Sequence, residues 1–243
     1  MSEVITDAAG TADNAFKLVF APAKLTLDTA RRMKPLLRSV EKGFSKLNEK
    51  DAGKYRDEAI ERYNAIPDML VLSEAGLLFE EAEFRPASEE WLHAAIGVIM
   101  LDAMPNAKNV SPIYRESLVD AILFDEEAWG GRYRTGFSVA VVTEAIREVR
   151  RTCEFVPSQA TFLKFCAQHR AQFENWQLCI TRLEEMKENA EDILFATGDL
   201  EEPDWEKHLE KRPDCKLALT NWLSGRQSAP LLAAPNHEPR PGS

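Results

Sequence analysis

The chain has 243 residues, 44% of them hydrophobic, and a net charge of −10, which leaves room for a sizeable core and argues against a protein that coats nucleic acid over its whole surface. Its longest uncharged apolar run, Trp91 to Leu101, is about half of what spans a bilayer, and the first fourteen residues lack the basic start and apolar core of a secretory signal. The expectation is a cytoplasmic protein with no membrane partner.

The charge is distributed in blocks. Residues 24–62 carry eleven basic against seven acidic side chains, residues 68–90 one against seven, residues 91–170 nine of each, and residues 171–243 eight against fourteen. Within the basic block, Leu37, Val40, Phe44 and Leu47 recur at steps of three and four, and Tyr55, Ala59, Ile60 and Tyr63 repeat the pattern. Two amphipathic helices are predicted, with Gly53 as their joint. Lys34, Arg38, Lys42, Lys46, Lys50 and Lys54 stand at every fourth position. Each step of four advances about 40° around a helix, so no more than three or four of them can face one duplex. Lys42 and Lys46 are the candidate phosphate contacts of this row, against the alternative of a solvated face shared with Glu41, Glu49 and Asp51.

Residues 74–85 mix apolar and acidic side chains. Ser88, followed by Glu89 and Glu90, reads as the N-cap and acidic first turn of a helix running to about Met104, and Pro105 ends it. Ser111-Pro112 opens a second helix with the stripe Tyr114, Leu118 and Ile122. Residues 125–136 form a glycine-flexed loop whose Trp129, Arg132, Tyr133 and Arg134 combine stacking planes with phosphate donors, the mixture used for single-stranded nucleic acid. The bland alternative packs Trp129 into the bundle and pairs the arginines with Asp125, Glu126 and Glu127. Val139, Val142, Ile146 and Val149 mark a third helix. Cys153 to Pro157 is its exit turn, on which Phe155 is expected to fold back, and Ser158 caps a fourth helix that can continue through Ile180 and Met186. Beyond Gly198 the chain turns acidic and proline-rich, apart from Leu217, Leu219, Trp222 and Leu223, which suit a short partner-binding helix on a tether.

The fold expected is therefore all-α: a small helical bundle of about four helices, with an N-terminal helical extension and a disordered C-terminal tail. The divisions are a flexible start (1–23), a helical extension (24–90), a bundle domain (91–198) and a flexible tail (199–243). The cysteines, Cys153, Cys166, Cys179 and Cys215, are spaced without a CxxC pair and are expected as thiols. Cys166 with His169 offers two ligands where zinc takes four. Neither a metal nor a cofactor is expected. The phosphate-binding, dinucleotide, nucleophile-elbow and metalloprotease motifs are all missing, so the expectation is that the chain is not an enzyme.

Residues 91–170 resemble a known family. A helix ending in Pro105-Asn106, a second bearing Tyr114 and Leu118, and a third, Ala145 to Thr152, leading into Phe155-Val156-Pro157-Ser158-Gln159-Ala160 are similar to the N-terminal domain of the phage helicase loader and inhibitor family. There a PN pair, a tyrosine-bearing helix and a terminal F-x-P-[ST]-x-[AE] turn recur at similar intervals. Three departures stand: Met104 before the PN pair, a longer loop at residues 125–136, and about ninety preceding residues. The resemblance implies a DNA replication accessory protein, an adaptor whose tail contacts a hexameric replicative helicase or another replisome protein, with Leu217, Leu219, Trp222 and Leu223 as the contact and no catalytic residue. The alternatives are a DNA-binding helical module and an unrelated structural or interaction protein.

Overall fold

The computed structural model describes residues 20–41, 46–101, 104, 106–123, 136–200 and 214–225. Among them there is no strand, and the α-helices are α1 (Lys24–Glu41), α2 (Ala52–Ala65), α3 (Met69–Phe84), α4 (Glu89–Ala94), α5 (Pro112–Leu123), α6 (Val139–Thr152), α7 (Gln159–Thr197) and α8 (Cys215–Leu223). The class is all-α, but the expected count of about four helices is corrected to eight among the described residues. The expected disordered tail lies largely outside them. Two compact units each combine separated stretches: unit one holds the described residues before Arg31 and those of Leu78–Trp176, and unit two those of Arg31–Leu77 and from Gln177 onward.

Unit one is organised around α6, whose Val141, Val142, Ala145, Ile146 and Val149 are buried. Ser138 caps it, its hydroxyl accepting from the Val141 amide at 3.2 Å and donating to the Ala82 carbonyl at 2.5 Å. Phe79, Phe173 and Trp176 form an aromatic cluster, the last two edge to face at 5.3 Å. Arg170 is buried, lies 4.0 Å over the Phe137 ring and donates to the Gly136 carbonyl.

The helix capped by Ser88 does not run as α-helix to Met104. It is α-helical to Ala94 and a π-helix over Ala95–Leu101. Here the Arg115 guanidinium donates to the His93 carbonyl at 3.0 Å, a side chain bonding into the helical ladder of the kind that interrupts it. A Cβ at Gly97 would stand 2.8 Å from Arg115 Cζ, so only glycine lets the guanidinium lie this close.

In unit two α2 begins at Ala52, so Gly53 sits in its first turn and is not the joint, and residues 46–48 before it are not helical. The cause is Leu47. Its amide donates to Asn189 Oδ1 at 2.8 Å and its carbonyl accepts from Asn189 Nδ2 at 3.1 Å. A buried carboxamide thus satisfies both backbone groups without a helix, and Leu47 joins Ala59, Ile60, Ala190, Ile193 and Leu194 in a core cluster. Lys187, also buried, lies 3.5 Å over the Tyr63 ring and donates to the carbonyls of Tyr63 and Ile66 at 2.5 and 3.2 Å. This places a cation where the dipole of α2 is negative. Burial lowers its pKa, while Glu191 and Asp68 pull the other way.

Helix α7 continues well past Met186 and stops at Gly198, whose φ of 75° suits glycine. Asp199 beyond it accepts two hydrogen bonds from Arg56, at 2.7 and 2.5 Å, and one from Thr197. These bonds hold its carboxyl below the usual range.

Candidate functional site

The landmarks Asn106, Tyr114 and the turn at residues 155–158 are far apart in the chain and meet in unit one. Helix α6 stops as Cys153 turns to extended backbone, its amide still bonding the Val149 carbonyl at 2.8 Å. Ser158 accepts from the Thr161 amide at 3.2 Å and so starts α7. Between these points the Val156 amide donates to Asn106 Oδ1 at 2.8 Å and the Tyr114 hydroxyl donates to the Pro157 carbonyl at 2.6 Å. Gln159 Nε2 donates to Ser117 Oγ at 2.6 Å. Burial pushes the Tyr114 phenol up to about 12, so at neutral pH it is a fixed donor.

The consequence is a turn clamped from inside with apolar side chains left outside. Phe155 does not fold back onto α6: it is 59% exposed. The inward bonds are made by its successors Val156 and Pro157. Ile113, next to the Pro112 that opens α5, is 76% exposed. Sequence reading passed over Ile113, although its position one residue off the Tyr114, Leu118, Ile122 stripe was the available signal.

What this corner can do is present shape and apolar surface. Among the described residues there is no group of three His, Cys, Asp or Glu able to hold a metal, and the four cysteines are thiols. Unit one also has a cleft of about 370 Å³ lined by Pro22, Thr26, Glu81, Arg85, Ser88 and Ser138 among others. Both serines are engaged as helix caps, and the lining includes no imidazole or thiol.

The other sequence candidates fall elsewhere. Trp129, Arg132, Tyr133, Arg134 and Lys42 lie outside the described residues. Lys46 is exposed, on a non-helical stretch, so the fourfold ladder does not lie on one continuous helix. Leu217, Leu219, Trp222 and Leu223 do share a helix, α8, capped by Asp214. Leu219 and Trp222 are buried, Leu223 is half-buried and Leu217 is 56% exposed. Arg32 lies 4.6 Å over the Trp222 ring and donates to the Leu223 carbonyl at 2.7 Å.

The chain matches no known family, no curated protein and no solved structure.

Proposed function

We propose that the chain is a non-catalytic helical adaptor that docks on a replication protein through the corner displaying Ile113 and Phe155, the partner implied by the resemblance being a hexameric replicative helicase. The supporting observation is the clamp itself. Asn106 and Tyr114 are spent on fixing a turn, and the Phe155 beside it is left 59% exposed. An aromatic held outward on a rigid support suits an interface anchor, because little backbone entropy is left to lose on binding. In α8 only Leu217 is offered to a partner without disturbing unit two, so the tail is the lesser contact.

The test is binding of the full-length chain to the purified replicative helicase of its host. Phe155→Glu and Ile113→Glu, both at exposed positions, are expected to weaken binding at least about tenfold, a loss of about 1.4 kcal/mol, with the helical content unchanged. No binding by the unaltered chain would remove the helicase from the reading. Full binding by both variants would remove the corner.

A further inference from the structure

We propose that the stripe Arg31, Lys34 and Arg38 of α1 binds the phosphate backbone of duplex DNA. The ten residues from Arg31 to Val40 contain four basic side chains and no acidic one, in a chain whose net charge is −10. On a helix turning about 100° per residue, positions 31, 34 and 38 fall within about 60° of one another. Met33, Leu37 and Val40 are buried, which fixes the inner face of this segment and leaves Arg31, Lys34 and Arg38 exposed.

Arg56, Arg62, Arg85, Arg147 and Arg151 each have a carboxylate within salt-bridge distance. Lys34 and Arg38 share with other exposed cations, among them Lys46, Lys108 and Lys164, the lack of a carboxylate at that distance among the described residues. Arg32, on another side of the helix, is committed to Trp222 and the Leu223 carbonyl.

Other polyanions fit less well. The apolar face of this segment is buried, so it has nothing to insert into a lipid surface. Single strands are held by exposed aromatic planes as well as charge, and the exposed residues of α1 from Arg31 onward include no aromatic side chain, with Trp222 itself buried. What the stripe offers is charge at fixed spacing. From residue 31 to residue 38 the helix rises about 10 Å, which matches about three phosphates on one strand of a duplex advancing about 3.4 Å per phosphate.

Neutralising about three phosphates predicts weak binding whose logarithm falls against the logarithm of salt with a slope of about −2.7. The experiment is a fluorescence-anisotropy titration of the full chain against a labelled duplex of about 20 base pairs, from about 25 to about 150 mM salt. The Lys34→Gln, Arg38→Gln double variant is expected to bind about tenfold less tightly at the lowest salt, with the slope shallower by about two. A control with the same charge change at exposed sites of unit one, Lys108→Gln with Lys164→Gln, is expected to bind as the unaltered chain does. The proposal is overturned by no duplex binding at the lowest salt, by a double variant that binds normally, by a control that weakens binding equally, or by a clear preference for the single strand or for anionic vesicles. It does not rest on the helicase reading, since no helicase is present in the assay.

Discussion

Replacing Asn106 by alanine removes the acceptor of the Val156 amide, a 2.8 Å bond across fifty residues of chain. The lost bond is worth about 1 kcal/mol net, and the half-buried amide left without a partner adds a desolvation cost, so a loss of about 1 to 2 kcal/mol is expected. Tyr114→Phe keeps the ring and removes only the 2.6 Å bond to the Pro157 carbonyl, costing about 1 kcal/mol. Because both bonds pin one turn, the first substitution already frees part of what the second holds. The double variant should therefore fall short of the sum by about 0.5 to 1 kcal/mol. Urea unfolding at pH 7, followed by far-ultraviolet circular dichroism, measures all three. The phenol adds a pH signature. Below pH 10 it is protonated folded and unfolded, so its contribution is intact; between 10 and about 12 the unfolded state ionises first and stability falls. Tyr114→Phe should remove that slope. An Asn106→Ala loss below about 0.5 kcal/mol, or strict additivity, would refute the clamp.

Lys187→Met should cost about 1 to 3 kcal/mol by leaving the Tyr63 and Ile66 carbonyls without their donor. Because burial lowers its pKa, the folded state releases this proton before the unfolded one does. Stability should rise with pH toward 10.5, and the methionine variant should lack that rise in urea unfolding below pH 10. Glu184, whose pKa is raised first by burial and then by Glu188, should show the reverse. Glu184→Gln is expected to stabilise by a few tenths of a kcal/mol at pH 7, with the gain disappearing as pH falls toward 4. Gly97→Ala should not show the gain of up to about 1 kcal/mol usual for helix glycines, because its methyl would displace the Arg115 guanidinium; the gain should return in an Arg115→Ala background. Gly136→Ala, with φ of 68° and a Cβ position 2.9 Å from the Leu123 carbonyl oxygen, should cost about 1 to 3 kcal/mol in thermal unfolding.

Legibility followed locality. The starts of α4, α5 and α7 were visible because Ser88, Ser111-Pro112 and Ser158 cap or open helices with their own hydroxyls, while α6 was read from its apolar stripe and its Ser138 cap was passed over; Gly198 ends α7 by backbone conformation alone. Helix α3 was not placed because two carboxyl residues among its buried positions, Glu74 and Glu83 on opposite sides of the helix, interrupt the apolar period; the Asp68 side chain that accepts from the Leu70 amide was the overlooked signal. Leu47 was misread as helical because the competitor for its backbone, Asn189, lies 142 residues away. At the candidate site the motif residues could be picked out, but their roles could not. Phe155 reads as a core residue by type, and only the clamp through its neighbours shows that it faces outward. Trp222 reads as part of a tethered patch because the arginine that lies over its ring, Arg32, stands 191 residues before Leu223, whose carbonyl it also bonds.

The Asn189 grip on Leu47 also constrains synthesis. At about 5 to 20 residues per second, a ribosome needs about 7 to 30 s after making Leu47 to deliver the asparagine that satisfies it. Throughout that interval Ile60 and its neighbours in α2 lack Ile193 and Leu194, the residues that will cover them. The nascent chain is thus a natural client for chaperones that shield apolar segments. Any premature stop before residue 189 removes half of a core, where a protein of sequential domains would lose only its last one.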